Sequence, residues 1–151
     1  QLASRQLVET FHHPGEPTRI ERGTLVTQAR AGDSIASVIE NGDGSGYLIM
    51  ASGDSLHFVK TLSITATAYT TGYDGVGTRT ASGTTVQVGS IAVDRSVISL
   101  GSKLVVSTSR GTYVGTAEDT GVRGKKVDLY MNSYEQCIQF GRRSGTVYIL
   151  G

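Results

Sequence analysis

The stretch from Leu62 to Tyr69 alternates apolar and polar side chains at every position. Its apolar members are Leu62, Ile64, Ala66 and Ala68, and Ser, Thr and Tyr residues stand between them. A period of two places alternate side chains on opposite faces, and β-branched residues favour extended backbone. The pattern therefore predicts a β-strand with one buried face.

Five further short apolar runs follow toward the end of the chain, separated by glycine-containing turns. They are Ser90–Asp94, Lys103–Ser107, Thr112–Ala117, Lys126–Tyr130 and Thr146–Leu150. Short strands that recur with glycine between them are typical of small β-barrels and β-sandwiches. The pattern predicts an all-β domain over residues 57–151.

The first 56 residues have a different pattern of polar and apolar side chains. Residues 1–23 are polar and contain both prolines of the chain, which indicates a linker or arm. Thr24–Ala29 and Tyr47–Ala51 are predicted strands, and Asp33 with Ser34 is predicted to cap a short helical turn through Ile35, Val38 and Ile39. We therefore predict an N-terminal arm or accessory module, mostly β, over residues 1–56.

One helix is predicted near the C-terminus. Ser133 and Gln136 have the spacing of a capping box, and Gly141 is suited to the helix end. Ile138 and Phe140 are then expected to face the core, and the single cysteine, Cys137, is expected to be a buried structural thiol.

Composition narrows the classes of function. The chain has 151 residues, a net charge of +1 and 18% charged residues, which argues against a nucleic-acid partner. No apolar run approaches the roughly 20 residues of a membrane span. A single cysteine excludes an internal disulfide and a cysteine metal cluster, and we expect no metal or organic cofactor.

Three aspartates stand out as candidate chemistry, because each ends or interrupts an apolar strand. They are Asp94, Asp119 and Asp128. If they converge, burial and mutual repulsion would raise the pKa of at least one carboxyl and supply an acid that is still protonated near neutral pH. The alternative is that they cap turns by accepting hydrogen bonds from backbone N–H groups.

Other candidates are weaker. His12, His13 and His57 are best interpreted as solvated surface residues, and no pattern assembles a catalytic triad around them. Asp119-Thr120-Gly121 matches the aspartic-protease triplet, but one copy would require a homodimer, and the preceding Glu118 is charged.

Eight short motifs in order resemble the three-Asp (3D) domain of Firmicute stationary-phase survival and spore-associated cell-wall proteins, a relative of the MltA-like lytic transglycosylases. The motifs are Ala66–Thr70, Thr80–Gly83, Ile91–Asp94, Leu100–Leu104, Ala117–Gly121, Val127–Tyr130, Phe140–Arg143 and Val147–Leu150. The resemblance covers about residues 60–150. It implies a six-stranded double-psi β-barrel.

The resemblance also implies an activity, namely cleavage of the peptidoglycan bond between N-acetylmuramic acid and N-acetylglucosamine to give 1,6-anhydro ends. It implies that Asp128 is the single acid/base, that Asp119 supports it and that Asp94 belongs to the same acidic cluster.

Motif position further suggests substrate contacts from Tyr69, Thr80, Thr120, Gly121 and Arg123. The family's longer glycine-rich segment after Asp-Thr is reduced here to four residues, and it stays open whether Arg123 replaces the family's lysine.

Two other functions stay open at this point: a non-catalytic peptidoglycan-binding barrel, and a hydrolase that leaves reducing muramyl ends. The expected partner is the peptidoglycan glycan strand, outside the cell or in its envelope. Because the sequence starts at Gln1, we expect that a signal or anchor was removed. A long N-terminal arm also allows a homodimer formed by strand or arm swapping.

Overall fold

The computed structural model describes residues 6–7, 24–71 and 79–151. Within these residues the chain forms ten strands and one short helix. They are β1 (Gln6–Leu7), β2 (Thr24–Val26), β3 (Ile35–Glu40), β4 (Gly46–Met50), β5 (Asp54–Tyr69), β6 (Ser90–Val93), β7 (Lys103–Thr108), β8 (Gly111–Asp119), β9 (Lys126–Tyr130), α1 (Tyr134–Phe140) and β10 (Arg143–Leu150). The interpretations of His12, His13 and most of the predicted arm lie outside the described residues.

Six strands close into a barrel. Around the barrel the order is β5, β10, β7, β8, β6, β9, and β9 pairs with β5 to complete the circle. The pairs β5–β9 and β6–β8 are parallel, whereas the other four pairs are antiparallel. The prediction of an all-β fold with a six-stranded barrel is confirmed.

The barrel has an internal twofold pattern. Exchanging β5 with β8, β6 with β9 and β7 with β10 reproduces every neighbour and every strand direction. All six pairings therefore join a strand of one half (β5 to β7) to a strand of the other (β8 to β10), two of them parallel and four antiparallel, which is the connectivity of a double-psi β-barrel.

Alternation along the strands separates the barrel interior from its outer face. Residues such as Ala66, Ile91, Val93, Val127 and Leu129 are buried together in the interior cluster. The residues between them therefore point outward. This parity decides where the acidic side chains of β8 and β9 lie.

The N-terminal strands cover part of the outer face of the barrel. Leu48, Met50, Leu56 and Phe58 pack with Val105 of β7 in a second apolar cluster. β5 runs without a break from this layer into the barrel, past the predicted boundary at residue 56. That boundary stays a prediction.

The predicted helical turn at Ile35–Ile39 is wrong, because this segment is strand β3, paired with β4. Asp33 accepts hydrogen bonds from the backbone N–H of Ser34 and, across the turn after β4, from Ser52 N and Oγ. The β-branched residues of β3 suit extended backbone, and pairing with β4 outweighed the local capping signal.

Helix α1 has the predicted caps, but the predictions that Ile138 faces the core and that Cys137 is buried are wrong. Ser133 Oγ accepts from Gln136 N at 3.1 Å, and Gly141, at φ 68°, donates to Cys137 O. Phe140 is 2% exposed, but Ile138 is 63% exposed. Residues two positions apart on a helix, such as Ile138 and Phe140, point about 200° away from each other, so they cannot share a face. Cys137 is half-buried rather than buried.

No helix in the described part of the chain has the length and apolar character needed to cross a lipid bilayer.

Candidate functional site

Asp119 and Asp128 flank one small residue of the central strand. Ala92 on β6 pairs with Asp128 across the antiparallel β9 and with Asp119 across the parallel β8. Directly paired residues project from the same face of a sheet. Because Ile91 and Val93 point into the barrel, Asp119 and Asp128 lie on its outer face, with Cα atoms about 10 Å apart over two strand spacings.

An irregularity in β8 aims Asp119 at this face. The β6–β8 register moves from Ile91↔Ala117 to Ala92↔Asp119, which skips Glu118. Bulges of this kind redirect side chains next to functional sites. Glu118 instead accepts a hydrogen bond from Ser90 Oγ at 2.8 Å.

Asp128 is half-buried and has a specific partner on the neighbouring strand. Thr67 of β5 lies directly opposite, and its hydroxyl donates to Asp128 Oδ1 at 3.0 Å. Burial raises the pKa of Asp128, and the negative charge of Asp119 raises it further, against the opposing effect of the Thr67 hydrogen bond. The site therefore favours a carboxyl that keeps its proton above the usual aspartate range.

Asp119 anchors a loop over the end of β8. Its Oδ1 accepts from the backbone N–H groups of Ala81 and Thr120, both at 2.9 Å. The predicted site residue Thr80 is buried in this loop, where its hydroxyl is 2.7 Å from that of Thr84. Thr80 is thus linked to the site through its loop, and Thr120 through its backbone.

Tyr69 ends β5 beside the two carboxylates. Its ring packs edge to face on Tyr130, with centroids 5.6 Å apart. Its hydroxyl is buried, and no described residue hydrogen-bonds to it. Burial, followed by the charges of Asp119 and Asp128, raises the pKa of Tyr69. The tyrosine therefore presents a neutral hydroxyl close to the acidic pair.

Asp94 has very different surroundings, just past the end of β6. Its Oδ1 accepts from Ser96 N and Oγ, and its Oδ2 accepts from Gly124 N at 2.7 Å. The Ser96 and Gly124 hydrogen bonds, with the nearby Arg123 charge, lower the pKa of Asp94 to about 2. Asp94 is an ionised group that holds the segment from Gly121 to Gly124 in place.

The predicted site residues thus fall into two groups. Asp128, Asp119 and Tyr69 influence one another directly, with Thr80 and Thr120 attached to Asp119. Asp94, Gly121 and Arg123 form the adjoining turn, in which Gly121 has a φ of 118° and Arg123 is exposed. Gly121 adopts a backbone conformation that favours glycine.

Two residues near Asp128 were missed as site residues by sequence reasoning. Thr67 looks like any polar position of an alternating strand, and only the parallel β5–β9 register places it opposite Asp128. Cys137 lies on α1, close enough that the charge of Asp128 contributes to raising the thiol pKa, after burial.

His57 lies away from this site, and its Nδ1 is 3.1 Å from the carbonyl oxygen of Gly151. Among the residues with described positions, no cluster of three or more His, Cys, Asp or Glu side chains could hold a metal ion.

Sequence comparison relates the C-terminal part of the chain to a known domain family. The family model described as the 3D domain matches residues 89–151. The chain is 37% identical over 97 residues to "Cell wall-binding protein YocH" of Bacillus subtilis (strain 168), a match that covers 60% of this chain and 33% of that protein. It is 32% identical over 116 residues to "Putative cell wall shaping protein YabE" of the same organism, covering 68% of this chain and 28% of that protein. The chain spans about a third of the length of these relatives.

Structure comparison finds MltA from Escherichia coli, described as having a unique lytic transglycosylase fold. The TM-score is 0.43 at 22% identity, over 52% of this chain and 28% of that chain. MltA with bound chitohexaose gives a TM-score of 0.43 at 21% identity, over 52% of this chain and 29% of that chain.

Proposed function

Since residues 89–151 of this chain are a 3D domain, we propose that the protein is a peptidoglycan lytic transglycosylase. It would cleave the β-1,4 bond between N-acetylmuramic acid and N-acetylglucosamine and leave 1,6-anhydro-muramyl ends. The cell-wall names of YocH and YabE support a peptidoglycan substrate and a place outside the cell or in its envelope.

The observation that carries this proposal is the state of Asp128. A carboxyl that is half-buried, raised in pKa by burial and by Asp119, and still directed to the outer face can donate a proton to a bound substrate. Proton donation to a leaving group requires this protonated form near the working pH.

The reaction needs one acid/base group. Protonated Asp128 donates its proton to the glycosidic oxygen as the bond from that oxygen to C1 of the muramyl sugar breaks. An oxocarbenium-like centre develops at C1. The Asp128 carboxylate then takes the proton of the muramyl 6-hydroxyl as O6 bonds to C1, which closes the anhydro ring and restores the acid. Neither a water molecule nor a second nucleophilic carboxylate takes part, unlike ordinary glycoside hydrolysis.

The surrounding groups have supporting roles in this scheme. Asp119 keeps Asp128 protonated, because two neighbouring carboxylates resist double ionisation. Thr67 fixes the orientation of the carboxyl through its hydrogen bond to Oδ1. Tyr69 would help to form the wall of the sugar site through its ring, which packs on that of Tyr130, because its hydroxyl is buried.

Of the remaining predicted residues, Thr120, Gly121 and Arg123 would contact the sugar chain, whereas buried Thr80, whose hydroxyl lies against that of Thr84, would shape the loop held by Asp119. Thr80 and Thr120 lie in the segments tied to Asp119, and Gly121 and Arg123 lie in the turn held by Asp94. Asp94 itself serves by positioning that turn. A homodimer formed through the N-terminal arm remains part of the proposal.

A second function has specific support. YocH is named a cell wall-binding protein, and a barrel that only binds glycan would need the same outer face without proton transfer. Binding to insoluble peptidoglycan does not separate the two functions, whereas analysis of reaction products does.

The test is to incubate purified peptidoglycan with the wild-type chain, with Asp128→Asn and with Asp43→Asn. Asp43 is an exposed carboxylate that binds Ser45 within its own turn, so its variant is a matched control. Mass spectrometry should find anhydro-muropeptides, one water lighter than hydrolytic products, from the wild type and the control only. Loss of Asp128 should lower the rate by about 100-fold or more.

Three results would overturn the proposal. Full activity in Asp128→Asn would remove Asp128 from the mechanism. Products that contain the extra water would indicate a hydrolase. Binding to peptidoglycan without any product from the wild type would favour the binding module.

A further inference from the structure

A pocket of about 430 Å³ opens at one end of the barrel, between α1 and the turn that joins β7 to β8. Its polar and aromatic lining comes from Arg110, Tyr113, Tyr130, Asn132, Gln136 and Gln139. The ring of Tyr113 packs edge to face on buried Phe140, with centroids 5.4 Å apart, so this wall of the pocket rests on the barrel core. The volume is in the range of sites that bind small organic groups.

The pocket adjoins the acid/base site. Tyr130 lines it and follows Asp128 by two residues on the same outward-facing side of β9, a separation of about 7 Å along the strand. Tyr130 also contacts the ring of Tyr69, which lies beside the two carboxylates. Helix α1 connects the two places as well, since Cys137, the neighbour of Gln136, is close enough to be affected by the charge of Asp128.

The lining selects a class of ligand. Asn132, Gln136 and Gln139 carry side-chain amides, which both donate and accept hydrogen bonds. Of the described residues around the pocket, Arg110 is the only charged one, and a guanidinium pairs well with a carboxylate. A neutral sugar would use the amides and the tyrosines but would give the arginine no partner.

We propose that this pocket binds the carboxylate-bearing peptide attached to the muramyl sugar, so that the peptide positions the sugar at Asp128. The proposal rests on the proposed function for its substrate. Arg110 binds a peptide carboxylate, the three amides bind the peptide backbone, and Tyr130 lies between the peptide and the reacting sugar. The pocket is thereby a specificity site for substituted over bare glycan.

The test is direct binding by calorimetry with two soluble probes. One is N-acetylmuramyl-L-alanyl-D-isoglutamine, and the other is the peptide-free tetramer of N-acetylglucosamine. The variants are Arg110→Gln and Gln139→Ala, with Arg142→Gln as a control because Arg142 is an exposed arginine outside the pocket lining. Arg110→Gln should weaken binding of the muramyl peptide by about tenfold, as expected for loss of a charge-assisted hydrogen bond, and leave tetramer binding unchanged.

The result that overturns the proposal is equal affinity of the wild type and Arg110→Gln for the muramyl peptide, or no binding of it by the wild type. The two proposals fail separately. Peptide binding that depends on Arg110, without any anhydro product, would retain the pocket and reject the enzyme. Anhydro products formed at equal rates by the wild type and Arg110→Gln from peptide-bearing strands would retain the enzyme and reject the pocket.

Discussion

Asp94 ends one apolar run of the barrel and Asp128 interrupts another, and their surroundings shift their pKa values in opposite directions. Asp128 is half-buried and faces the charge of Asp119, which together raise its pKa, and the one hydroxyl hydrogen bond that it accepts, from Thr67, opposes this rise only in part. Asp94 accepts three hydrogen bonds and has Arg123 nearby, which together lower its pKa to about 2. Sequence context alone would treat them alike. Burial, neighbouring charge and the number of hydrogen-bond donors therefore decide which of the two carboxyls keeps its proton to higher pH.

The largest expected effect that separates the two regions comes from Asp119→Asn. The asparagine keeps an acceptor oxygen for Ala81 and Thr120 but removes the charge that raises the pKa of Asp128. Asp128 should then lose its proton at lower pH. We expect the basic limb of the pH–rate profile to move to lower pH. At any pH on that limb, the rate should fall by about tenfold for each pH unit by which the Asp128 pKa is lowered.

The pH–rate profile of Asp119→Asn should be compared with that of Asp94→Asn, which removes a charge from the adjoining turn instead. An unmoved basic limb in Asp119→Asn would contradict the coupling between Asp119 and Asp128. A limb displaced equally by Asp94→Asn would merge the two regions into one acidic cluster.

A smaller effect is expected on stability, with opposite signs for the two aspartates. The folded pKa of Asp94, about 2, lies below its ordinary value of 3.8, so its ionised form stabilises the fold above that value. This contribution is lost as the pH falls from 3.8 toward 2. Asp94→Asn should therefore lower Tm at neutral pH, by an amount that solvent screening keeps small, and the deficit should shrink in that acid range.

Asp128 should behave in the reverse way. The pKa of Asp128 in the folded protein lies above 3.8, so the fold favours its protonated form. The stability that this form contributes is fully present below pH 3.8 and is lost as the pH rises through the pKa of the folded protein. Asp128→Asn should raise Tm at neutral pH, with no gain in strong acid. Thermal melts from neutral pH to pH about 2 test both variants, and Tm changes of the same sign at neutral pH would contradict the contrast.

The smallest expected effect is on Cys137. Burial first and then the charge of Asp128 raise its thiol pKa, so Asp128→Asn should lower that pKa. The rate of alkylation by iodoacetamide at fixed pH should rise about twofold, since the thiolate is the reactive form. Asp94→Asn is the control and should leave the rate unchanged. An unchanged rate in Asp128→Asn would mean that α1 lies farther from the acid than the structure places it.

Local patterns predicted much of the fold. Alternation identified the barrel strands, and the Ser133 and Gly141 caps identified α1, because strand periodicity and helix capping involve only residues close in sequence. The same local reasoning failed at Ile35–Glu40, where pairing with β4 decided the backbone. It failed again at Ile138, because Ile138 and Phe140 are two positions apart on the helix and therefore face different sides.

The sequence by itself predicted a small all-β domain of short strands, barrel or sandwich, with aspartates that end or interrupt those strands, and the resemblance in motif order to the 3D domain implied the barrel. Only the tertiary structure decided which aspartates lie side by side on the same face of the barrel. The skipped Glu118 brings Asp119 to the face of Asp128, and the parallel β5–β9 register brings Thr67 to the same carboxyl. The physical reason is that pKa depends on charge and burial from residues remote in sequence, and their register is set by the closure of the whole barrel.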